Sequence, residues 1–163
     1  MSSCVFPGSF DPITYGHLDL IRRASALFDT VIVTVMQNRS KTGCIPYEER
    51  VNMIRKACRE MPDVSVELWN GLLADYLRMH SGAAVIRGIR SAAEAEQEIR
   101  TAAVNRRLLP GLETILLPAS DGMADISSSA VREIASFGGD YSTFVPECIH
   151  EELKNWLKYI EQE

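Results

Sequence analysis

The side chains of this sequence best suited to handling phosphoryl groups are a histidine, a lysine, a pair of arginines and a run of serines, set far apart along the chain. His17 closes the segment Pro7-Gly8-Ser9-Phe10-Asp11-Pro12-Ile13-Thr14-Tyr15-Gly16-His17, and Lys41 lies in the polar stretch Asn38 to Ile45. Arg87 and Arg90 bracket Gly88-Ile89, and Ser127-Ser128-Ser129 follow Ile126. A polyphosphate needs cations, hydroxyls and unpaired backbone N–H groups converging on one point. A helix start supplies the last of these, because its first N–H groups lack intrahelical partners and the helix dipole is positive there. The histidine segment leads from the apolar run Cys4-Val5-Phe6 into such a start, and Gly8 and Gly16 remove side chains that would hold an anion at a distance. Taken singly, each feature has a plain alternative. The serines could cap a helix, the arginines could pair with surface carboxylates, and His17 could be an ordinary first-turn residue.

These residues become one site only if the fold gathers them. Short runs rich in β-branched residues alternate with stretches of helical period, which predicts an α/β fold of parallel strands joined by helical crossovers. Predicted strands are Cys4 to Phe6, Val31 to Val35, Val64 to Leu68, Ala83 to Ile86 and Thr114 to Leu117. Predicted helices run from His17 to Phe28, Pro46 to Met61, Leu72 to His80, Ala92 to Leu108, about Ala130 to Phe137, and Pro146 to about residue 161. Pro46 is expected at a first helical position, and Gly138-Gly139 is expected to end the fifth helix through left-handed backbone angles. The expectation is a Rossmann-like, doubly wound, parallel five-stranded sheet with helices on both faces, a single domain over residues 1–163. Ligands of such sheets gather beyond the carboxyl ends of the strands. The histidine segment follows strand one, Lys41 strand two, Arg87-Gly88-Ile89-Arg90 strand four and the serines strand five.

Bulk composition narrows the classes. Seventeen Lys plus Arg against 22 Asp plus Glu give a net charge of −5 over 163 residues, which argues against a general nucleic-acid surface. No apolar run approaches the ~20 residues that span a bilayer, and no secretion signal stands at the amino terminus, so no membrane partner and a cytoplasmic location are expected. Cys4, Cys44, Cys58 and Cys148 are scattered without a C-x-x-C pair, which offers neither a disulfide framework nor a metal site. The chain lacks G-x-x-x-x-G-K-[ST], G-x-G-x-x-G and a nucleophile-elbow serine, so P-loop, dinucleotide and acyl-transfer chemistries recede.

The residues together resemble a known family. Pro7 to Pro12 leading to Thr14-Tyr15-Gly16-His17, then Lys41, Glu48-Glu49-Arg50, Arg87-Gly88-Ile89-Arg90, Glu98, Asn105-Arg106 and Ile126-Ser127-Ser128-Ser129, look like bacterial phosphopantetheine adenylyltransferase from about Val5 to Pro146. The T-x-G-H form matters, because related cytidylyltransferases usually carry H-x-G-H.

The resemblance implies transfer of AMP from ATP to 4′-phosphopantetheine, giving dephospho-coenzyme A and pyrophosphate with Mg2+, in coenzyme A synthesis. His17 would stabilise charge at the α-phosphate, with Lys41 and Arg90 completing the catalytic set. Ser9, Phe10, Gly88, Ile89, Arg90 and Glu98 would meet ATP, and so would Met123, Ala124, Asp125, Ile126, Ser127, Ser128 and Ser129. Ser9, Lys41, Leu73 and Arg87 would meet phosphopantetheine. Magnesium is expected on phosphate oxygens rather than on protein side chains. A homohexamer is implied, with coenzyme A as a product-like feedback ligand. The chain departs from the family at Glu94-Ala95-Glu96-Gln97-Glu98, where relatives commonly show Asp-Phe-Glu-Tyr-Glu, and at Met123-Ala124-Asp125, where aromatic residues are common. Two alternatives stay open: a related nucleotidyltransferase with another phosphate acceptor, and a non-catalytic nucleotide-binding protein.

Overall fold

Successive residues of a strand face opposite sides of a sheet, and the first strands of this chain are apolar on both sides. Cys4 and Phe6 enter one buried cluster while Val5 enters another. Val31, Val33 and Val35 join the first and Ile32 the second. Apolar side chains on both faces demand cover on both, which in a parallel sheet comes from the crossover helices. The computed structural model, which describes residues 2–37 and 43–158, shows this arrangement.

Five parallel strands, β1 (Ser3–Gly8), β2 (Thr30–Met36), β3 (Val64–Trp69), β4 (Ala84–Ile89) and β5 (Thr114–Pro118), form a sheet in the order β3-β2-β1-β4-β5. The helices are α1 (Tyr15–Ser25), α2 (Tyr47–Ala57), α3 (Leu73–Met79), α4 (Ala92–Leu108), α5 (Ser128–Ser136) and α6 (His150–Leu157). Chain direction across the sheet reverses between β1 and β4, the switch point where doubly wound folds open a crevice. Here β1 pairs with β2 along its whole length, from Ser3↔Thr30 to Gly8↔Val35. With β4 it registers only through Cys4↔Ala84 and Val5↔Val85. Beyond Val5 the two central strands part.

Several boundaries differ from the sequence expectation. Helix α1 begins at Tyr15 because the Thr14 hydroxyl accepts from the His17 N–H and caps it. Pro46 is the N-cap of α2, with extended ψ of 146°, and not its first helical residue. Helix α5 starts at Ser128, capped by the Ser127 side chain, and Gly138 beyond its end has the expected positive φ, 69°. After Pro146 the chain makes a 3-10 turn, Glu147–Ile149, before α6, so the final α-helix is shorter than the predicted 146–161 within the described residues.

Helix α4 stands apart. None of its 17 residues is buried in the single chain, and Ile99 and Val104 expose more than half of their surface. No described helix is long and apolar enough to cross a membrane, and the four cysteines are free.

Candidate active site

The loop after β1 is held by buried charge. Asp11 accepts from the backbone N–H groups of Ile45 (3.0 Å, Oδ1) and Cys44 (2.9 Å, Oδ2). Arg50 of α2 pairs with Asp11 at 3.4 Å, the side chains being 3% and 8% exposed. The same guanidinium donates to the carbonyls of Ile45 (2.8 Å) and Ser9 (3.0 Å). Gly43 is required beside it, because a β-carbon there would fall on the Arg50 guanidinium. Between these anchors Phe10 takes a left-handed φ of 46°, a conformation that strains a bulky residue by about 1–3 kcal/mol. Burial of its ring offsets this strain: the ring lies edge-on to Phe6 at 5.5 Å and to His17 at 5.0 Å.

His17 sits in the first turn of α1 with a fixed tautomer. Its Nδ1 accepts from the Thr14 backbone N–H at 3.1 Å, closing a capping box. A nitrogen that accepts carries no proton, so the neutral ring bears its hydrogen on Nε2. Burial pushes the imidazole pKa down from 6.5 to about 4, and the Arg90 and Arg87 charges add to the effect. The side chain is therefore a neutral N–H donor on the wall of the cavity at neutral pH.

Helix α5 docks its start against this loop. Gly16 lets the Ile126 carbonyl approach, since a β-carbon there would stand 3.2 Å from that oxygen. Ser128 donates to the Pro12 carbonyl at 2.6 Å, and Arg132 to the Asp11 carbonyl at 2.6 Å. Two helix starts, α1 and α5, thus face one crevice. The Ser127 oxygen accepts from the Ala130 N–H, so its O–H can still donate to an anion alongside the first-turn N–H groups of α5.

Strand β4 supplies the arginines. Arg87 forms a two-pronged pair with Glu98 of α4, Nε to Oε2 at 2.8 Å and Nη2 to Oε1 at 2.6 Å. Its Nη1 crosses to the Pro7 carbonyl at 2.6 Å, bridging the gap where β1 and β4 have parted. Arg90 pairs with Glu94 at 2.5 Å, and that hydrogen bond holds the Glu94 carboxyl below its ordinary range. Gly88 admits the Leu20 side chain of α1 where a β-carbon would otherwise stand.

A cavity of about 530 Å3 occupies the crevice, lined by Ser9, His17, Arg90 and the serine turn among others. A second, of about 310 Å3, reaches Leu73 and Asn105. Pro7, Gly8, Ser9, Met36, Arg87 and Glu98 line both. The structure therefore gathers Ser9, Phe10, His17, Gly88, Ile89, Arg90, Glu98, Met123, Ile126 and the three serines around the larger cavity. Leu73 stands on the smaller one. Ala124 and Asp125 are exposed and form no part of either wall. Lys41 lies outside the described residues.

Sequence reading missed Arg132, which lies on the cavity wall and donates to Ser129 at 3.4 Å. Its position one turn beyond Ser128 and Ser129 was the available signal. Among the described residues no group of three or more His, Cys, Asp or Glu side chains is gathered that could hold a metal ion.

The profile of the cytidylyltransferase-like family matches residues 5–134. A phosphopantetheine adenylyltransferase of Caldanaerobacter subterraneus subsp. tengcongensis is 40% identical over 158 residues, covering 97% of this chain and 99% of that protein. One from Clostridium perfringens is 44% identical over 159 residues, covering 98% and 97%. Among solved structures, a putative nicotinate-nucleotide adenylyltransferase from Vibrio parahaemolyticus superposes with a TM-score of 0.69 at 17% identity, covering 99% of this chain and 97% of that one. That likeness is one of fold. The near-full-length agreement with the curated relatives establishes that the chain belongs to the phosphopantetheine adenylyltransferase family, within the cytidylyltransferase-like proteins.

Proposed function

We propose that this enzyme transfers AMP from ATP to 4′-phosphopantetheine, releasing pyrophosphate and giving dephospho-coenzyme A. The observation that carries the reading is the meeting of two cavities at the gap between β1 and β4, with neutral His17 and two arginines around it. ATP takes the larger cavity, its triphosphate toward Arg90 and the start of α5. Phosphopantetheine takes the smaller one, its arm beside Leu73 and its phosphate toward Arg87 and Ser9.

The chemistry suits a site without a base. An acceptor phosphate oxygen is already anionic near neutral pH, so it attacks the α-phosphorus directly. The new P–O bond forms as the bond to pyrophosphate breaks, and pyrophosphate leaves with the electron pair. No covalent enzyme intermediate is needed. The protein aligns two mutually repelling phosphates, and His17 Nε2–H donates to the α-phosphate oxygens as charge grows on them. Lys41 is assigned a catalytic cation's role with His17 and Arg90.

The carboxylates on the cavity wall, Glu98, Glu94 and Asp11, are engaged by Arg87, Arg90 and Arg50. The ion would belong to the phosphate oxygens of the substrates, where it supplies charge neutralisation. A cytoplasmic location and a homohexamer complete the reading. Support for an assembly comes from α4, whose exposed Ile99 and Val104 lack cover in a single chain, and light scattering tests it.

The deciding assay supplies ATP, Mg2+ and 4′-phosphopantetheine and follows dephospho-coenzyme A by mass. Pyrophosphate released only with another phosphate acceptor would refute the substrate. ATP binding without turnover on any acceptor would refute catalysis.

A further inference from the structure

We propose that Glu98 is a positioning residue for the acceptor phosphate: it fixes the Arg87 guanidinium at the junction of the two cavities. This rests on the reading of the smaller cavity as the phosphopantetheine site. Both Glu98 carboxylate oxygens accept from Arg87, at 2.6 and 2.8 Å. The carboxylate is the less exposed partner, 15% against 32% for the guanidinium. The two bonds use one lone pair on each oxygen, so the carboxylate can hold the guanidinium whether or not a ligand hydroxyl also donates to it.

The Pro7 carbonyl takes a third Arg87 N–H at 2.6 Å. A guanidinium carries five N–H groups in a rigid fork. Three are committed, which sets the plane of the fork and leaves two donors for a phosphate. Both residues line both cavities, which is where the acceptor phosphate must meet the α-phosphate.

A carboxylate beside an anion site opposes anion binding through its charge. Its presence here is explained if orientation of Arg87 outweighs that repulsion. The two effects have opposite signs, so one substitution separates them. Glu98→Gln keeps the size of the side chain, removes the charge and leaves a single acceptor.

The test combines calorimetric titration of ATP and of 4′-phosphopantetheine with steady-state kinetics, on the wild type, Glu98→Gln, Arg87→Ala and the double variant. Glu98→Gln should weaken phosphopantetheine binding and raise its KM by about tenfold, the scale of a lost charge-assisted hydrogen bond. ATP affinity should fall by a smaller factor. In the Arg87→Ala background the Glu98 substitution should add nothing, because the residue it positions is gone. Circular dichroism checks folding, and Glu98→Asp, whose shorter arm breaks the same geometry, carries the comparison if Glu98→Gln does not fold.

The inference is overturned if Glu98→Gln weakens ATP as much as phosphopantetheine or more, changes neither ligand, or tightens phosphopantetheine. It is likewise overturned if its effect persists without Arg87. A wild type that fails to bind phosphopantetheine overturns the functional reading itself, which is a different result from a working wild type with a silent Glu98→Gln.

Discussion

The tautomer of His17 makes a prediction that distinguishes two amide replacements. The Thr14 N–H occupies Nδ1 at 3.1 Å, so the working donor is Nε2–H. With a pKa of about 4, only about one imidazole in a thousand is protonated at pH 7. Removing one preorganised donor of this kind costs about 100- to 1000-fold in kcat, or roughly 2.7–4 kcal/mol of transition-state stabilisation. His17→Ala should lose that amount. The amide nitrogen of glutamine reaches the place of Nε2, whereas that of asparagine reaches only the place of Nδ1. His17→Gln should therefore recover much of the loss and His17→Asn almost none. The measurement is kcat at saturating ATP and 4′-phosphopantetheine, with nitrogen-15 NMR of the imidazole across pH 4 to 8. Asparagine outperforming glutamine would refute the argument, as would an Nδ1-protonated ring or an imidazole titrating near 6.5.

The same residue links stability to pH. The folded imidazole titrates near 4 and the unfolded one near 6.5, so between these values the unfolded chain binds more protons. Stability in urea should fall as pH drops through that window, and His17→Gln should flatten the fall. Arg50→Ala leaves the buried Asp11 carboxylate with only the more distant Arg132, at 4.0 Å, as its ion-pair partner and should destabilise the fold by about 3 kcal/mol in urea unfolding. Ser127→Ala removes the cap of α5 and should cost about 1 kcal/mol of stability, with a weaker affinity for ATP. Arg90→Ala should raise KM for ATP and Arg87→Ala that for phosphopantetheine, each by about tenfold or more; the opposite pattern in paired titrations would reverse the assignment of the cavities.

The alternation of β-branched runs with helical stretches was enough to predict the sheet, since a strand buried on both faces must be apolar throughout. Cys4 to Phe6 and Val31 to Val35 read correctly for that reason. Boundaries were less legible, because caps decide them. Thr14 started α1 earlier than expected by hydrogen bonding to His17, and Ser127 did the same for α5. Partner choice was least legible. Arg87, Arg90, Glu94 and Glu98 are all visible in the sequence, yet which carboxylate meets which arginine depends on how α4 lies against β4. Arg50 and Asp11 are separated by most of two crossover elements and meet only because α2 packs beside the loop after β1. Where relatives commonly carry two rings this chain has Ala95 and Gln97, and Gln97 and Met123 line the larger cavity.

Ordinary sheets fray from their outer strands inward. Here the central seam has only two registered pairs between β1 and β4, and a side chain from one strand must reach the carbonyl of the other to span the remainder. Amide exchange should accordingly be faster at the β1 and β4 amides that face this seam than at those of the β1–β2 ladder alongside. Molecules lodged in that seam act as rivets joining the halves of the fold, so thermal resistance should climb with their concentration.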